Sequence, residues 1–160
     1  MQVKSIALGA ALLALSSCSQ PKVPVGQFNE AASLPPSFNF SKLGLRVLST
    51  FVNRQQATTA TLYGNDLARQ ATLGASGATQ PGEVLALLTW RQQADPNWFG
   101  ARIPGALHSL ELLRTSPGSV GHPVVTYHCF VGENLMLRTD TLHQQARIAY
   151  LLAQKPAVLP

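Results

Sequence analysis

From Val84 to Trp90 the chain is apolar at almost every position, and turn residues bound the run on both sides. A stretch this short, with no polar face, predicts a strand covered on both sides. Leu107 to Leu113 and Val124 to Val131 are two further strand candidates, with Pro117 and Gly118 marking a turn between them. Asp95, Pro96 and Asn97 predict a turn between the first run and the segment Trp98 to Ile103, and Pro104 and Gly105 predict a break after it. Upstream, Leu43 to Val52 is apolar with a pattern that fits a short helix or a strand. Ala57 to Tyr63 is rich in threonine, and Gly64 and Asn65 interrupt it. Asp66 to Ala71 then suits a short helix. Asn65 would be its N-cap, accepting from first-turn amides, while Asp66 complements the positive end of the helix dipole. Gly74 to Gly82 predicts a flexible loop.

The period changes near the C-terminus, where Leu142, Ala146, Ala149 and Leu152 recur at helical spacing and Gln144, Gln145 and Arg147 fall elsewhere on the wheel. Thr139 or Asp140 would cap this helix, and Pro156 lies past its end. Strands joined by short turns pair antiparallel, and the helix would lay its apolar stripe on one face of the sheet. The expected fold class is α+β: a mostly antiparallel β-sheet with flanking helices, including a C-terminal one. No internal repeat is visible.

The first residues follow a different logic. Lys4 precedes a ten-residue apolar run beginning at Ile6, far short of the roughly 20 residues that span a bilayer. The run closes on Leu15, Ser16, Ser17 and Cys18, which resemble a bacterial lipobox. That resemblance implies removal of residues 1–17 as a lipoprotein signal peptide and acylation of Cys18. It also implies a lipid anchor in the bacterial cell envelope, at the outer membrane facing the periplasm, with the membrane itself as a partner. A simple cleaved secretory signal is the alternative. One acyl chain binds only marginally, at about 0.8 kcal/mol per buried methylene, so firm anchoring needs the two or three chains of a lipoprotein. Ser19 to Ser41 carries Pro21, Pro24, Pro35 and Pro36 without apolar periodicity. It is expected to be a tether, so that residues 18–41 are lipidated cysteine and linker and residues 42–160 the folded domain.

Composition narrows the partners. With 46% hydrophobic and 12% charged residues the chain is a globular domain and not a disordered one. The formal charge of +5 includes Lys4, and the arginines from Arg46 to Arg147 are scattered singly, with no basic run and no aromatic platform. Nucleic acid is therefore not an expected partner. The only cysteines are Cys18 and Cys129, so lipidation of the first leaves the second unpaired. Between Tyr127 and Phe130, Cys129 is expected to be buried as a small apolar residue instead of reactive.

Catalytic fingerprints are missing from the sequence: no phosphate-binding glycine loop ends in Lys and Ser or Thr, no nucleophile elbow occurs, and no His-Glu-x-x-His helix occurs. His108, His122, His128 and His143 fall on different predicted elements. Of these, His108, His128 and His143 are the weak candidates for holding a metal. Glu83 and Asp95 flank one strand and suit turns. Glu111 lies within an apolar run, so it points either to solvent on an open face, the favoured reading, or into a pocket that raises its pKa. Arg102 is its expected ion-pair partner.

Three segments carry a family resemblance: Leu62-Tyr63-Gly64-Asn65-Asp66-Leu67-Ala68, Pro81-Gly82-Glu83-Val84-Leu85-Ala86-Leu87-Leu88-Thr89-Trp90, and Asp95-Pro96-Asn97-Trp98-Phe99-Gly100-Ala101-Arg102-Ile103-Pro104. In this order they resemble the cytochrome P460 family, over about a third of the chain. The resemblance implies a mostly antiparallel sheet with packed helices, a tendency to form homodimers and, in well-known members, hydroxylamine oxidation at a heme fixed to Cys-x-x-Cys-His. That attachment segment does not occur here: Phe130 follows Cys129, His128 precedes it, and after Lys42 the only lysine is Lys155. A noncovalent heme is then the candidate cofactor. Trp90, Trp98, Phe99, Glu111 and Tyr127 are candidate pocket residues, with ordinary core packing as the alternative for the aromatic ones. The expected function is a lipid-anchored envelope protein whose P460-like domain binds a small molecule or noncovalent heme. The alternatives are a non-catalytic structural or interaction protein of the envelope and an oxidoreductase whose heme is held by histidine.

Overall fold

Among the described residues each strand pairs with the next one along the chain. The computed structural model describes residues 28–74, 79–119, 122–140 and 142–155. The signal segment, Cys18 and Pro156 lie outside these residues. Six strands form one sheet in chain order, all antiparallel: β1 (Arg46–Asn53), β2 (Thr58–Gly64), β3 (Val84–Ala94), β4 (Arg102–Ser116), β5 (Val124–Val131) and the two-residue β6 (Met136–Leu137). Helix α1 (Asp66–Leu73) links β2 to β3, and α2 (Gln144–Leu152) follows the sheet. The fold is thus α+β. Among the described residues no helix is long and apolar enough to cross a membrane.

The continuous apolar run of β3 is covered on both faces, as its composition requires. On one face Ala86, Leu88 and Trp90 join Leu107, Leu110 and Leu112 of β4. On the other, Leu85 and Leu87 join Leu48, Leu62 and Leu113, with Ala68 of α1 and Ile148 and Leu151 of α2 packed over them. Each fully buried leucine contributes about 1.5–3 kcal/mol, so the two clusters are comparable sources of stability.

What covers the first face corrects the expected tether. Residues 28–41 are not a linker: they form 3₁₀ turns at Glu30–Ala32 and Phe40–Leu43 and lay Ala32, Leu34, Phe38 and Phe40 against the sheet. The Trp90 indole N–H donates to the carbonyl of Ala32 at 3.0 Å, and Phe40 meets the Tyr63 ring edge-on at 4.8 Å. The apolar residues here follow no simple period because the segment is irregular, so its burial left no helical or strand signature. The ambiguous run after Leu43 is a strand, β1, entered through Gly44 at φ +60°.

Asn65 caps α1 as expected, accepting from the Ala68 amide at 3.0 Å. Its side chain also accepts from the Val84 amide and donates to the Gly82 carbonyl, so it fastens helix, turn and strand together. Gly64 lets α1 and β1 sit close: a Cβ there would be 3.2 Å from the Ala68 Cβ of α1 and 2.6 Å from a methyl of Leu48 on β1.

Two sequence expectations fail in instructive ways. Pro104 and Gly105 do not break a strand; β4 runs through both. The partner β5 begins pairing only at Ser109, so the missing N–H of Pro104 leaves no ladder bond unmade. Gly105 sits where a Cβ would approach the Arg91 carbonyl at 3.1 Å. In α2 the inward residues are Ile148 and Leu151, with Arg147 and Leu152 half-buried, whereas Leu142, Ala146 and Ala149 are exposed. Neither Thr139 nor Asp140 caps it: Asp140 accepts from the Leu142 amide one turn earlier, and His143, at φ +68°, precedes the helix without a side-chain cap bond.

Candidate functional site

Strand alternation places Glu111 on the same face as Leu113, beneath α2, with its side chain in the sheet interior. It is 6% exposed. A carboxylate there demands partners, since an unpaired buried charge is very costly. Arg147 supplies them from α2: its Nε donates to Oε2 at 2.9 Å and an Nη to Oε1 at 2.7 Å, a two-pronged pairing that matches guanidinium to carboxylate. The Tyr127 hydroxyl on β5 donates to Oε2 at 2.6 Å. Arg147 is itself positioned by stacking over the Tyr150 ring, 4.6 Å from its centroid. Arg102, the expected partner, belongs to the far end of the same strand, nine residues or about 30 Å away, and cannot reach.

This network floors one end of a cleft of about 350 Å³ between sheet and helix. A bulge shapes its wall: Ser109 lies opposite Thr89 and Leu107 opposite Trp90, which leaves His108 as an extra residue in β4. Such a bulge re-aims side chains, and here both His108 and Ser109 line the cleft. Cys129, directly across from Glu111, completes the wall with Val131, while Gln56, Thr89 and Arg138 stand at the edges. A shallower hollow of about 140 Å³ shares Gln56, Thr89 and Arg147 with the cleft. It leads towards a broad open depression beside Phe51, Arg54 and Tyr150.

The electrostatics follow from the geometry. Burial and the bond to Glu111 push the Tyr127 phenol far above its ordinary range, so it remains a donor. Burial, then the Glu111 charge, raises the Cys129 thiol, which stays protonated at neutral pH and is not an activated nucleophile. The Glu111 bond raises Arg147 further. With Glu111 matched by Arg147, Arg138 gives the cleft one cation in excess among the described residues.

Of the residues expected to form a pocket, Glu111 and Tyr127 meet here. Trp90 is in the core on the opposite face, and Trp98 and Phe99 are exposed in the β3–β4 turn. Their apolar character was read as a wall, but they lie beyond the part of the sheet that α2 covers. Among the histidines only His108 lines the cleft. His128 is exposed on the other face, near Phe130, and His143 is exposed before α2. Among the described residues no three His, Cys, Asp or Glu side chains gather to hold a metal ion. Glu83 is buried and accepts from the Gln80 amide, and Asp95 accepts from the Asn97 amide at 2.8 Å, both of them turn roles. Cys129 is half-buried at the cleft and not sunk in the core. The sequence reading missed Arg147, although a glutamate inside an apolar strand was a signal that some cation must turn inward.

A heme does not fit these walls. It needs apolar surfaces for its two faces and an axial donor, whereas among the described residues Val131 is the only aliphatic one lining the cleft and an ion pair forms its floor.

No protein-family model matches the chain, and no curated protein matches it.

Proposed function

We propose that this protein is a lipid-anchored receptor of the bacterial cell envelope, with a cytochrome P460-like domain that holds no heme and instead binds a small anionic molecule. The observation that carries the ligand class is the cleft itself, in which a Glu111–Arg147–Tyr127 floor leaves Arg138, His108, Gln56 and Ser109 as groups able to donate to a carboxylate or phosphate. Guanidinium groups suit such anions because they offer paired donors in one plane. The donors that line the cleft are placed to hold an anion, and binding is the activity proposed for it.

The P460-like reading rests on the three resembling segments, which fall in order on β2 and the start of α1, on β3, and on the β3–β4 turn. The envelope reading rests on the lipobox-like Leu15 to Cys18. Mass spectrometry of the membrane fraction tests it: acylated Cys18 is expected at the N-terminus, and unmodified Cys18 on a soluble chain overturns it.

Calorimetric titration of the full chain in detergent with inorganic phosphate and a series of mono- and dicarboxylates tests the ligand class. Saturable, salt-sensitive binding is expected. Arg138→Gln should weaken it about tenfold or more, since a hydrogen bond to a charged group contributes roughly 1.5–3 kcal/mol. Titration of the folded protein without heat or thermal stabilisation by any of these anions overturns the reading.

A further inference from the structure

The β3–β4 hairpin projects past its neighbours. Strand β2 ends opposite Arg91, with the Gln92 amide still held by the Ala57 carbonyl, and β5 ends opposite Ser109. Beyond those points only β3 and β4 pair with each other, through Gln93 with Ile103 and Ala94 with Arg102. The turn at the tip is well built: the Asp95 amide bonds the Ala101 carbonyl, the Ala101 amide bonds the Trp98 carbonyl, and Gly100 takes φ +79°. Yet this ordered turn presents Trp98, 73% exposed, and Phe99, fully exposed. Among the described residues no packing accounts for two aromatic rings held in water.

The chain from the anchor arrives at the same place. Phe28, also exposed, shares a hollow with Asp95, Pro96 and Asn97, and the Asn29 side chain bonds the Pro104 carbonyl. Ten residues separate Cys18 from Phe28, a reach of at most about 35 Å even when fully extended. A lipid on Cys18 therefore keeps the hairpin tip within about 35 Å of the bilayer, a span that lets it reach the surface. Tryptophan at such a position matches the membrane interface, where its amphipathic ring sits at headgroup level, and the purely apolar phenylalanine ring suits the layer just beneath. Exposed Arg91 and Arg102 flank the hairpin and complement anionic headgroups. A second copy of the chain suits the tip less well. Three aromatic side chains bury roughly 150–250 Å² each, short of the ~800 Å² per partner of a stable interface.

We propose that Trp98 and Phe99 insert into the interfacial layer of the membrane that holds Cys18, with Phe28 beside them, so that the anchored domain is docked in one orientation. The proposal rests on the lipid-anchor reading and is independent of what the cleft binds. The test uses the acylated full chain reconstituted into vesicles of phosphatidylethanolamine and phosphatidylglycerol, with and without bromine on the acyl chains. Bromine quenches tryptophan that reaches the lipid, and the chain has only Trp90, in the core, and Trp98. Quenching of the wild-type emission and none in Trp98→Phe is the expected result. Equal emission in both lipids from protein that floats with the vesicles overturns docking and leaves the anchor intact. An emission shift of Trp98 that follows protein density, without quenching, overturns it in favour of self-association. Protein that does not float overturns the anchor and the docking together.

Discussion

Glu111 is the residue whose environment the sequence announced without resolving. A lone carboxylate within Leu-Glu-Leu-Leu had either to face water or to be met by a cation, and Arg147 meets it from 36 residues downstream. Periodicity could not reveal this, because an arginine on an amphipathic helix is normally assigned to the polar side. Removing it in Arg147→Ala should cost about 2–3 kcal/mol, somewhat under the roughly 3–5 of a fully buried pair because Arg147 is 40% exposed. Glu111→Gln, which keeps an acceptor for Tyr127, should cost about 1 kcal/mol in chemical denaturation. The same substitution removes a charge that holds the Cys129 thiol up, so alkylation of Cys129 at neutral pH should be slow in the wild type and faster in Glu111→Gln. Glu83 gives a pH signature. Burial raises its folded-state pKa above the ordinary 4.5, so the folded form holds the proton more tightly. Its stabilising contribution is complete below the unfolded value and is lost as pH rises through the raised folded one. Glu83→Gln should therefore be at least as stable as the wild type at pH 7 and show a flatter melting profile across the acidic range.

Elements were legible where one local force decided them. The β3 run, the limits of β5 and the Asn65 cap could be read because continuous burial, turn chemistry and amide satisfaction each act within a few residues. Asn65→Ala should destabilise by about 2 kcal/mol, more than an ordinary cap near 1, since three bonds are lost. Gly64→Ala should cost about 1–3 kcal/mol by forcing Leu48 aside. Elements were misread where a distant partner decided them. Pro104 is harmless in β4 only because β5 stops short of it. Ala146 and Ala149 lose the inner face of α2 to larger Ile148 and Leu151 and to the arginine that Glu111 draws in.

For the whole molecule, the decisive observation is that β3 and β4 supply both apolar clusters, so neither face of the sheet is stable alone. A chain that starts at Lys42 would leave Leu88, Leu110 and Leu112 without Leu34, Phe38 and Phe40. It should melt well below a chain that starts at Phe28, or fail to remain soluble, and circular dichroism of the two decides it. Because the clusters share strands, thermal unfolding of the longer chain should be a single transition.

The chain-order pairing of the sheet also governs how the molecule assembles. Among the described residues each strand finds its partner across one local connection, the longest being the α1 link between β2 and β3, so none of these strands must wait for a distant segment. Loop-closure entropy is small at each step, which favours fast refolding for a protein so rich in strands. A chain that emerges from its N-terminus can add each hairpin in turn, and the last of the described elements, α2 with Arg147, closes the cleft over a carboxylate already in place.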